Sequence, residues 1–88
     1  MKTYHIISNP TAGKKGALKN LKITEEVFSS RGVKFQTHLS HAERDATDIA
    51  RMLTEAGETE IVTIGGDGTL HEVLNGLADP SACNFGLI

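Results

Sequence analysis

The stretch TIGGDGTLHEV, residues 63–73, decides how this chain folds. It places Gly65, Gly66 and Gly68 around Asp67, between two apolar segments. Asp-Gly is a frequent centre of a tight β-hairpin turn, so a hairpin is one interpretation. The other is a strand that ends at the glycines and is followed by a helix, whose amino end then lies beside a glycine loop.

The segments on either side of the glycines favour the second interpretation. Ile61, Val62 and Ile64 form a short β-branched run that is typical of a buried strand. After the loop, apolar residues recur at intervals of three and four, which is the spacing of one helix face. These residues are Leu70, Val73, Leu74, Leu77 and Ala78. A returning hairpin strand would alternate apolar and polar residues instead, so the stretch predicts strand, glycine loop and helix.

Strand and helix signals alternate along the rest of the chain. The spacing of Ser40 and Glu43 is that of a capping box, which predicts the start of the second helix. Strands connected in this way form a parallel sheet with right-handed crossovers, so we expect a three-layer α/β fold of the flavodoxin or Rossmann type. The expected strands are 4–8, 33–39, 61–64 and 84–88, and the expected helices are 18–32, 40–57 and 69–78.

Composition limits the functional classes. The chain has 88 residues, enough for one small domain, and its 39% hydrophobic content is ordinary for a globular protein. A net charge of −2 gives no general attraction to nucleic acid. Cys83 is the single cysteine, which suits a reducing compartment, and no apolar run approaches a membrane span. We therefore expect a cytoplasmic protein that is free to act peripherally at a membrane surface.

Candidate chemistry is concentrated at one edge of the predicted sheet. In open α/β sheets, ligands bind beyond the carboxyl ends of the strands. Three stretches follow strands at that edge, and they are residues 9–16, 37–41 and 65–68. His38 and His41 in the second stretch have the spacing of two metal ligands, but no third ligand is evident. The arrangement predicts a single ligand site.

The glycine loop has the physical character of a phosphate-binding loop, although its spacing fits neither the Walker A nor the dinucleotide fingerprint. Glycines allow backbone N–H groups to face an anion, and we expect positive φ and close phosphate approach at Gly66 and Gly68. Asp67 could contact magnesium, water or a ribose hydroxyl, could fix the loop, or could only cap the helix. His71 is predicted in the first helical turn, beside the loop.

The segment from Gly65 to Val73 resembles the GGDGTxNEV signature of the diacylglycerol kinase catalytic-domain family, with His71 in place of asparagine. This family includes bacterial lipid kinases, diacylglycerol kinases and sphingosine kinases. Thr37 resembles the threonine with which the family contacts its nucleotide. Asp45 and the following alanine resemble its GDA element, with Arg44 in place of glycine. The loop after the first strand resembles the family's NPxSG element, and its residues are Asn9, Pro10, Thr11, Ala12 and Gly13.

The resemblance implies a kinase that uses ATP and Mg2+ to phosphorylate a lipid hydroxyl, such as that of diacylglycerol, at a membrane surface. Residues 1–88 would then be the N-terminal portion of the ATP-binding domain, without the β-rich lipid-binding domain and inactive when alone. No catalytic residue is expected within them, and Asp67 would have a supporting role. The implied nucleotide contacts are Asn9, Pro10, Thr11, Ala12, Gly13, Thr37, Gly65, Gly66, Asp67, Gly68, Thr69, Leu70 and His71.

Two other functions share parts of these patterns. An NAD kinase would use a related glycine loop to phosphorylate a soluble dinucleotide. A flavodoxin-like module would bind a ligand at the same edge without catalysis. The apolar fourth strand is compatible with association into a homodimer.

Overall fold

The computed structural model describes residues 2–10 and 16–88, along which strands and helices alternate as predicted. The strands are β1 (Tyr4–Ser8), β2 (Phe35–Leu39), β3 (Glu60–Ile64) and β4 (Asn84–Leu87). The helices are α1 (Gly16–Ser30), α2 (Asp45–Glu55) and α3 (Asp67–Gly76), with a short 3-10 helix at Pro80–Ala82. Within these ranges the strands form one sheet in the order β2-β1-β3-β4, and all neighbours are parallel. The predicted α/β class is confirmed.

Helices cover both faces of the sheet, which gives the expected three layers. On one face, Leu21 and Phe28 of α1 pack with the side chains of Ile6, Val62 and Ile64. On the other face, α2 and α3 pack over the two central strands. The buried residues of that face are Ile7, Ala46, Ala50, Leu53, Ile61, Val73 and Leu77, with Cys83 packed against them. The middle residues of the central strands, Ile6, Ile7, Ile61 and Val62, are apolar on both sides because helices cover both sides.

The strand order creates a crevice at the carboxyl edge of the sheet. The chain passes from β1 to β2 on one side, and then crosses back to β3 on the other side of β1. Ser8 at the end of β1 pairs with Ile64 at the end of β3. Ligands of open α/β sheets bind where the strand order reverses in this way. The loops after β1 and β3 begin side by side there, and we call this place the β1–β3 crevice.

The predicted capping box between Ser40 and Glu43 is wrong. Ser40 is 2% exposed, and its N–H donates at 2.8 Å to a carbonyl oxygen of β1, which continues the strand pairing past β2. Helix α2 begins at Asp45, whose Oδ2 accepts hydrogen bonds at 2.9 Å from the backbone N–H groups of His41 and Ala42. These two bonds lower the pKa of Asp45. The carboxylate that closes the turn before α2 therefore belongs to Asp45.

Helix α3 begins and ends two residues earlier than the predicted range 69–78. At its carboxyl end, Leu77 leaves helical geometry, with φ −66° and ψ 122°. The next residue, Ala78, then donates its N–H at 3.0 Å to Thr54 Oγ1 of α2. This contact between helices, which local spacing does not reveal, ends α3 before the apolar pattern does.

The packing of α2 against α3 is close because a glycine lies in the contact. A Cβ on Gly76 would overlap the carbonyl group of Thr47 and come within 2.9 Å of the Ala50 Cβ. Beside it, Thr47 Oγ1 donates to the carbonyl oxygen of Glu72 at 2.7 Å. The two helices are thus joined by both packing and hydrogen bonds.

The strand at the end of the described chain is apolar and open on one side. Strand β4 ends at Leu87 rather than at the predicted residue 88, and β2 begins at Phe35 rather than at residue 33. Phe85, Leu87 and Ile88 are all exposed. Association through this strand stays a prediction.

None of the helices in the described ranges is both long and apolar enough to pass through a bilayer.

Candidate functional site

Gly65 forms the turn between β3 and α3. It takes φ +152°, a conformation that residues with a side chain rarely adopt. A Cβ at this position would lie 2.9 Å from Oγ1 of Thr69, which is buried. The turn itself therefore requires glycine at position 65.

Gly66 and Gly68 have open surroundings instead. Gly66 has φ −87°, and Gly65 alone in the described part of this loop has positive φ, so the expected positive φ at Gly66 and Gly68 is wrong. Both residues are exposed, and a Cβ on either would have no atom of the described residues within 4 Å. The first helical hydrogen bond runs from the Leu70 N–H to the Gly66 oxygen at 3.2 Å, so the earlier N–H groups have no acceptor in the helix. This open backbone surface suits an anion.

Asp67 is the first residue of α3 and is exposed. The N-cap residue is Gly66, which makes no side-chain hydrogen bond, so the interpretation that Asp67 only caps the helix is wrong. Within the described ranges the Asp67 carboxylate has no hydrogen bond or ion pair. Its negative charge is favoured at the amino end of a helix, and its oxygens are accessible to a metal ion, water or a hydroxyl group.

The residues that follow the loop lie at different depths. Thr69 is buried beneath Gly65, Leu70 is half-buried and His71 is exposed. Because α3 begins at Asp67, His71 lies in the second helical turn, whereas the sequence predicted the first. Thr69 therefore supports the loop from inside, and His71 lies one turn away from the open N–H groups.

The loop after β1 begins beside the glycine loop. Asn9 and Pro10 are half-buried and directly follow Ser8, which pairs with Ile64. The structure thus brings the start of both predicted phosphate loops to the β1–β3 crevice. The other predicted contacts in this loop lie outside the described residues, and they are Thr11, Ala12 and Gly13.

Two buried hydroxyl groups lie near the carboxyl ends of the same two strands. Ser8 is the last residue of β1 and Thr63 the penultimate residue of β3, and both are 0% exposed. In the part of the chain that the structure describes, neither hydroxyl oxygen has a hydrogen-bond partner. Leaving such a group unpaired costs about 1–3 kcal/mol. Unpaired buried hydroxyls are therefore typical of places where a ligand or water binds. These unpaired hydroxyls could not be predicted from the sequence, because Ser and Thr are also ordinary strand residues.

Thr37 lies elsewhere than predicted. It is the third of five residues in β2 rather than at its end, and it pairs with Ile6 of β1. Its Oγ1 donates to Glu25 Oε2 of α1 at 2.6 Å, so the hydroxyl offers only lone pairs to any ligand. This partner was not predicted from the sequence, although a carboxylate on the buried stripe of α1 is itself a signal that a donor lies opposite.

His38 and His41, which have the sequence spacing of two metal ligands, lie in different surroundings. His41 is exposed, whereas His38 Nε2 lies 3.0 Å from Nδ1 of His5 on the neighbouring strand. Burial, and then the charge of nearby His5, lower the pKa of His38. Across residues 2–10 and 16–88, no cluster of three or more His, Cys, Asp or Glu side chains is arranged to hold a metal ion.

The sequence is similar to curated bacterial proteins along most of its length. The diacylglycerol kinase of Bacillus subtilis (strain 168) is 38% identical over 78 residues, which are 89% of this chain and 26% of that protein. The diacylglycerol kinase of Staphylococcus haemolyticus (strain JCSC1435) is 34% identical over 88 residues, which are 99% of this chain and 27% of that protein. The chain thus spans little more than a quarter of the length of these relatives. Residues 3–88, which include both loops of the β1–β3 crevice, match the diacylglycerol kinase catalytic domain, and the chain therefore belongs to that family.

Proposed function

We propose that the complete protein is a lipid kinase that transfers the γ-phosphoryl group of ATP to a lipid hydroxyl, with diacylglycerol as the acceptor. The observation that carries this proposal is the open glycine loop at the β1–β3 crevice, in a chain of the diacylglycerol kinase family. Relatives that are named diacylglycerol kinases support a lipid acceptor over the soluble dinucleotide of an NAD kinase.

The phosphates of ATP would lie against the N–H groups at the amino end of α3. Gly66 and Gly68 leave that backbone accessible, and the helix dipole favours negative charge there. The loop that starts at Asn9 would enclose the phosphates from the β1 side. Phosphoryl transfer depends mainly on positioning and on stabilising charge, and fixed backbone N–H groups provide both.

Asp67 fits a magnesium ion. Mg2+ prefers oxygen ligands and usually binds through one or two carboxylates, substrate phosphates and several waters. The exposed Asp67 carboxylate, without a partner in the described ranges, is of that kind. It would hold the ion or one of its waters beside the nucleotide, and the ion would neutralise charge on the phosphoryl group.

We place the lipid pocket and the group that accepts the hydroxyl proton outside these residues. The matched region is only 26% of the Bacillus subtilis relative, so most of such a protein lies elsewhere. We therefore expect residues 1–88 alone to transfer no phosphoryl group. The enzyme would act at the cytoplasmic surface of a membrane, because its acceptor lies there.

The test compares two exposed aspartates in the complete protein. Asp67→Asn removes the charge from the first turn of α3, and Asp48→Asn removes one from the first turn of α2 as a matched control. Radiolabelled phosphoryl transfer from ATP to diacylglycerol in mixed vesicles is measured for both. We expect kcat to fall about 100-fold in Asp67→Asn, the size typical of losing one preorganised electrostatic contact, and to stay normal in Asp48→Asn. Both variants should melt close to the wild-type temperature.

The same assay distinguishes a lipid kinase from an NAD kinase and from a binding module without catalysis. Transfer to NAD but to no lipid would indicate an NAD kinase, and nucleotide binding without transfer to any acceptor would indicate a binding module. Normal turnover in Asp67→Asn would remove that residue from the site and leave the lipid kinase assignment intact.

A further inference from the structure

A buried imidazole lies between a second imidazole and a carboxylate on the α2 side of the sheet. His5 of β1 is 4% exposed. Its Nδ1 lies 3.0 Å from His38 Nε2 in β2, and its Nε2 lies 3.0 Å from Glu58 Oε1 in the turn before β3. The two rings stack with their centroids 5.2 Å apart. We call this set the His5–His38 link, because it connects β2 to the centre of the sheet.

The carboxylate determines the direction of the hydrogen bonds. An ionised Glu58 only accepts, so the hydrogen of its bond is on His5 Nε2. A neutral His5 then has a bare Nδ1 that accepts, and His38 must donate to it from Nε2. In the neutral link, both imidazoles are therefore Nε2–H tautomers.

The link accommodates one added proton and not two. With a single proton, the charged ring still donates to the neutral ring, and Glu58 balances the positive charge. With two protons, His5 Nδ1 and His38 Nε2 both carry hydrogens and face each other across 3.0 Å without an acceptor. Two positive charges, on buried His5 and half-buried His38, would then be accompanied by the one carboxylate of Glu58.

Among the described residues that line the cavity beside His5, Glu58 is the one that adds a charge. This cavity has a volume of about 320 Å3. The α2 residues that line this cavity are uncharged, and they are Met52, Leu53 and Ala56. Thr3 and Gln36 line it from the strand side and are also uncharged. Glu58, whose side chain is 42% exposed, connects the link to solvent and gives protons a route to it.

We propose that the His5–His38 link is an acid-sensitive latch, in which the second protonation of the pair separates β2 from β1. A second proton is harder to add than the first, because it sets two N–H groups and two positive charges against each other. Burial and the charge of His5 place the pKa of His38 below its ordinary value of 6.5. The folded chain thus binds the second proton less readily than the unfolded chain. The neutral link stabilises the fold fully above pH 6.5, and this contribution is lost as the pH falls through the lower folded pKa.

Imidazole 15N chemical shifts of the complete protein test the protonation scheme. At neutral pH we expect both histidines to be Nε2–H tautomers, with His5 and His38 assigned from His5→Gln and His38→Gln. On acidification we expect two steps, the second below the ordinary histidine value. An Nδ1–H tautomer at His38 in the neutral protein, or independent titration of both rings at the ordinary value, would overturn the proposal.

Amide hydrogen exchange tests whether the second step releases β2. After correction for the intrinsic pH dependence of exchange, protection of β2 amides in the wild type should fall about tenfold or more on acidification, while β3 stays protected. His38→Gln keeps an N–H donor for His5 but removes the second charge, so its β2 protection should not change with pH. His71→Gln, an exposed histidine on α3, should behave as the wild type in this measurement. Equal acid sensitivity of β2 in His38→Gln and the wild type would refute the latch.

Discussion

The two ends of β3 use acidic side chains in opposite ways. At its start, Glu60 is 5% exposed and accepts hydrogen bonds from Thr59 Oγ1 at 2.6 Å and from Asn84 Nδ2 at 3.0 and 3.1 Å. Just past its other end, Asp67 is exposed and has no partner in the described ranges. One carboxylate connects β3 to β4, and the other is accessible to a ligand.

The presence or absence of hydrogen-bond partners distinguishes polar residues that stabilise the fold from candidate residues of the ligand site. At the amino end of the strands, polar side chains bond to each other, and the hydrogen bonds from Thr59 and Asn84 lower the pKa of Glu60. At the carboxyl end, the hydroxyls of Ser8 and Thr63 are buried without a partner among the described residues. Folding alone explains the first arrangement. Hydrogen bonds among the described residues do not account for the second.

Substitution of the loop glycines should have the largest effect. Gly65→Ala forces a side chain into φ +152° against Thr69, so we expect it to lower the free energy of unfolding by about 1–3 kcal/mol and to abolish nucleotide binding. Gly66→Val places its Cβ clear of all the described residues, so it should leave stability nearly normal while weakening ATP binding by obstructing the N–H surface. Chemical denaturation and calorimetric titration with ATP measure the two effects.

Gly66→Val also tests whether the carboxyl end of β3, in contrast to its amino end, serves a ligand. If it binds ATP with wild-type affinity while folded, the open surface of α3 does not contact the phosphates. If Gly65→Ala is as stable as the wild type, the turn does not need glycine, and the contrast between the three glycines disappears.

Glu60→Gln should give the opposite phenotype to Asp67→Asn. Gln turns one acceptor oxygen into a donor facing Asn84, so we expect the melting temperature to fall by several degrees, with normal turnover per folded molecule. The pKa of Glu60 lies below its ordinary value of 4.5, so its hydrogen bonds stabilise the fold above pH 4.5 and lose that effect as the pH falls through the lower folded value.

The Glu60 prediction is checked by melting curves from pH 7 to acid. The gap between wild type and Glu60→Gln should narrow as the carboxylate is protonated. A constant gap at all pH values would show that the charge of Glu60 contributes nothing to the connection between β3 and β4.

His71→Asn should have the smallest effect. The residue is exposed and lies one turn beyond the open N–H groups, so the change to the family's asparagine should leave stability unaltered and change ATP affinity by less than about tenfold. Calorimetric titration at two pH values checks this. A large loss of affinity, or a pH dependence that disappears in the variant, would place His71 in contact with the nucleotide.

Much of the fold could be predicted because its signals are local. The β-branched run before Gly65 and the helical spacing after it are enough to order strand, loop and helix. Alternation of such units then implies a parallel sheet, and the structure confirms it. The errors lie at helix ends. Ser40 has capping-box spacing but continues the strand pairing, and α3 ends early because Ala78 bonds to Thr54.

The parts of the site that escaped prediction depend on residues far apart in the chain. Nothing local relates Thr37 to Glu25, or His38 to His5, because each pair meets only when the sheet and its helices assemble. Whether Asp67 is the N-cap of α3 also needed the structure, which shows where α3 begins, and its loop and ligand roles stay predictions. The likeness to the family places residues in order along the chain, but their hydrogen-bond partners appear only in three dimensions.

The glycine in the contact between α2 and α3 has a mechanical consequence. Helices that meet through larger side chains can slide past each other by repacking, as in shear motions. Gly76 brings the backbones too close for such sliding, and the hydrogen bond from Thr47 to the main chain of α3 adds a fixed point. We therefore expect the two helices to move together, so that a displacement of the amino end of α3 would also displace α2 and the turn before it.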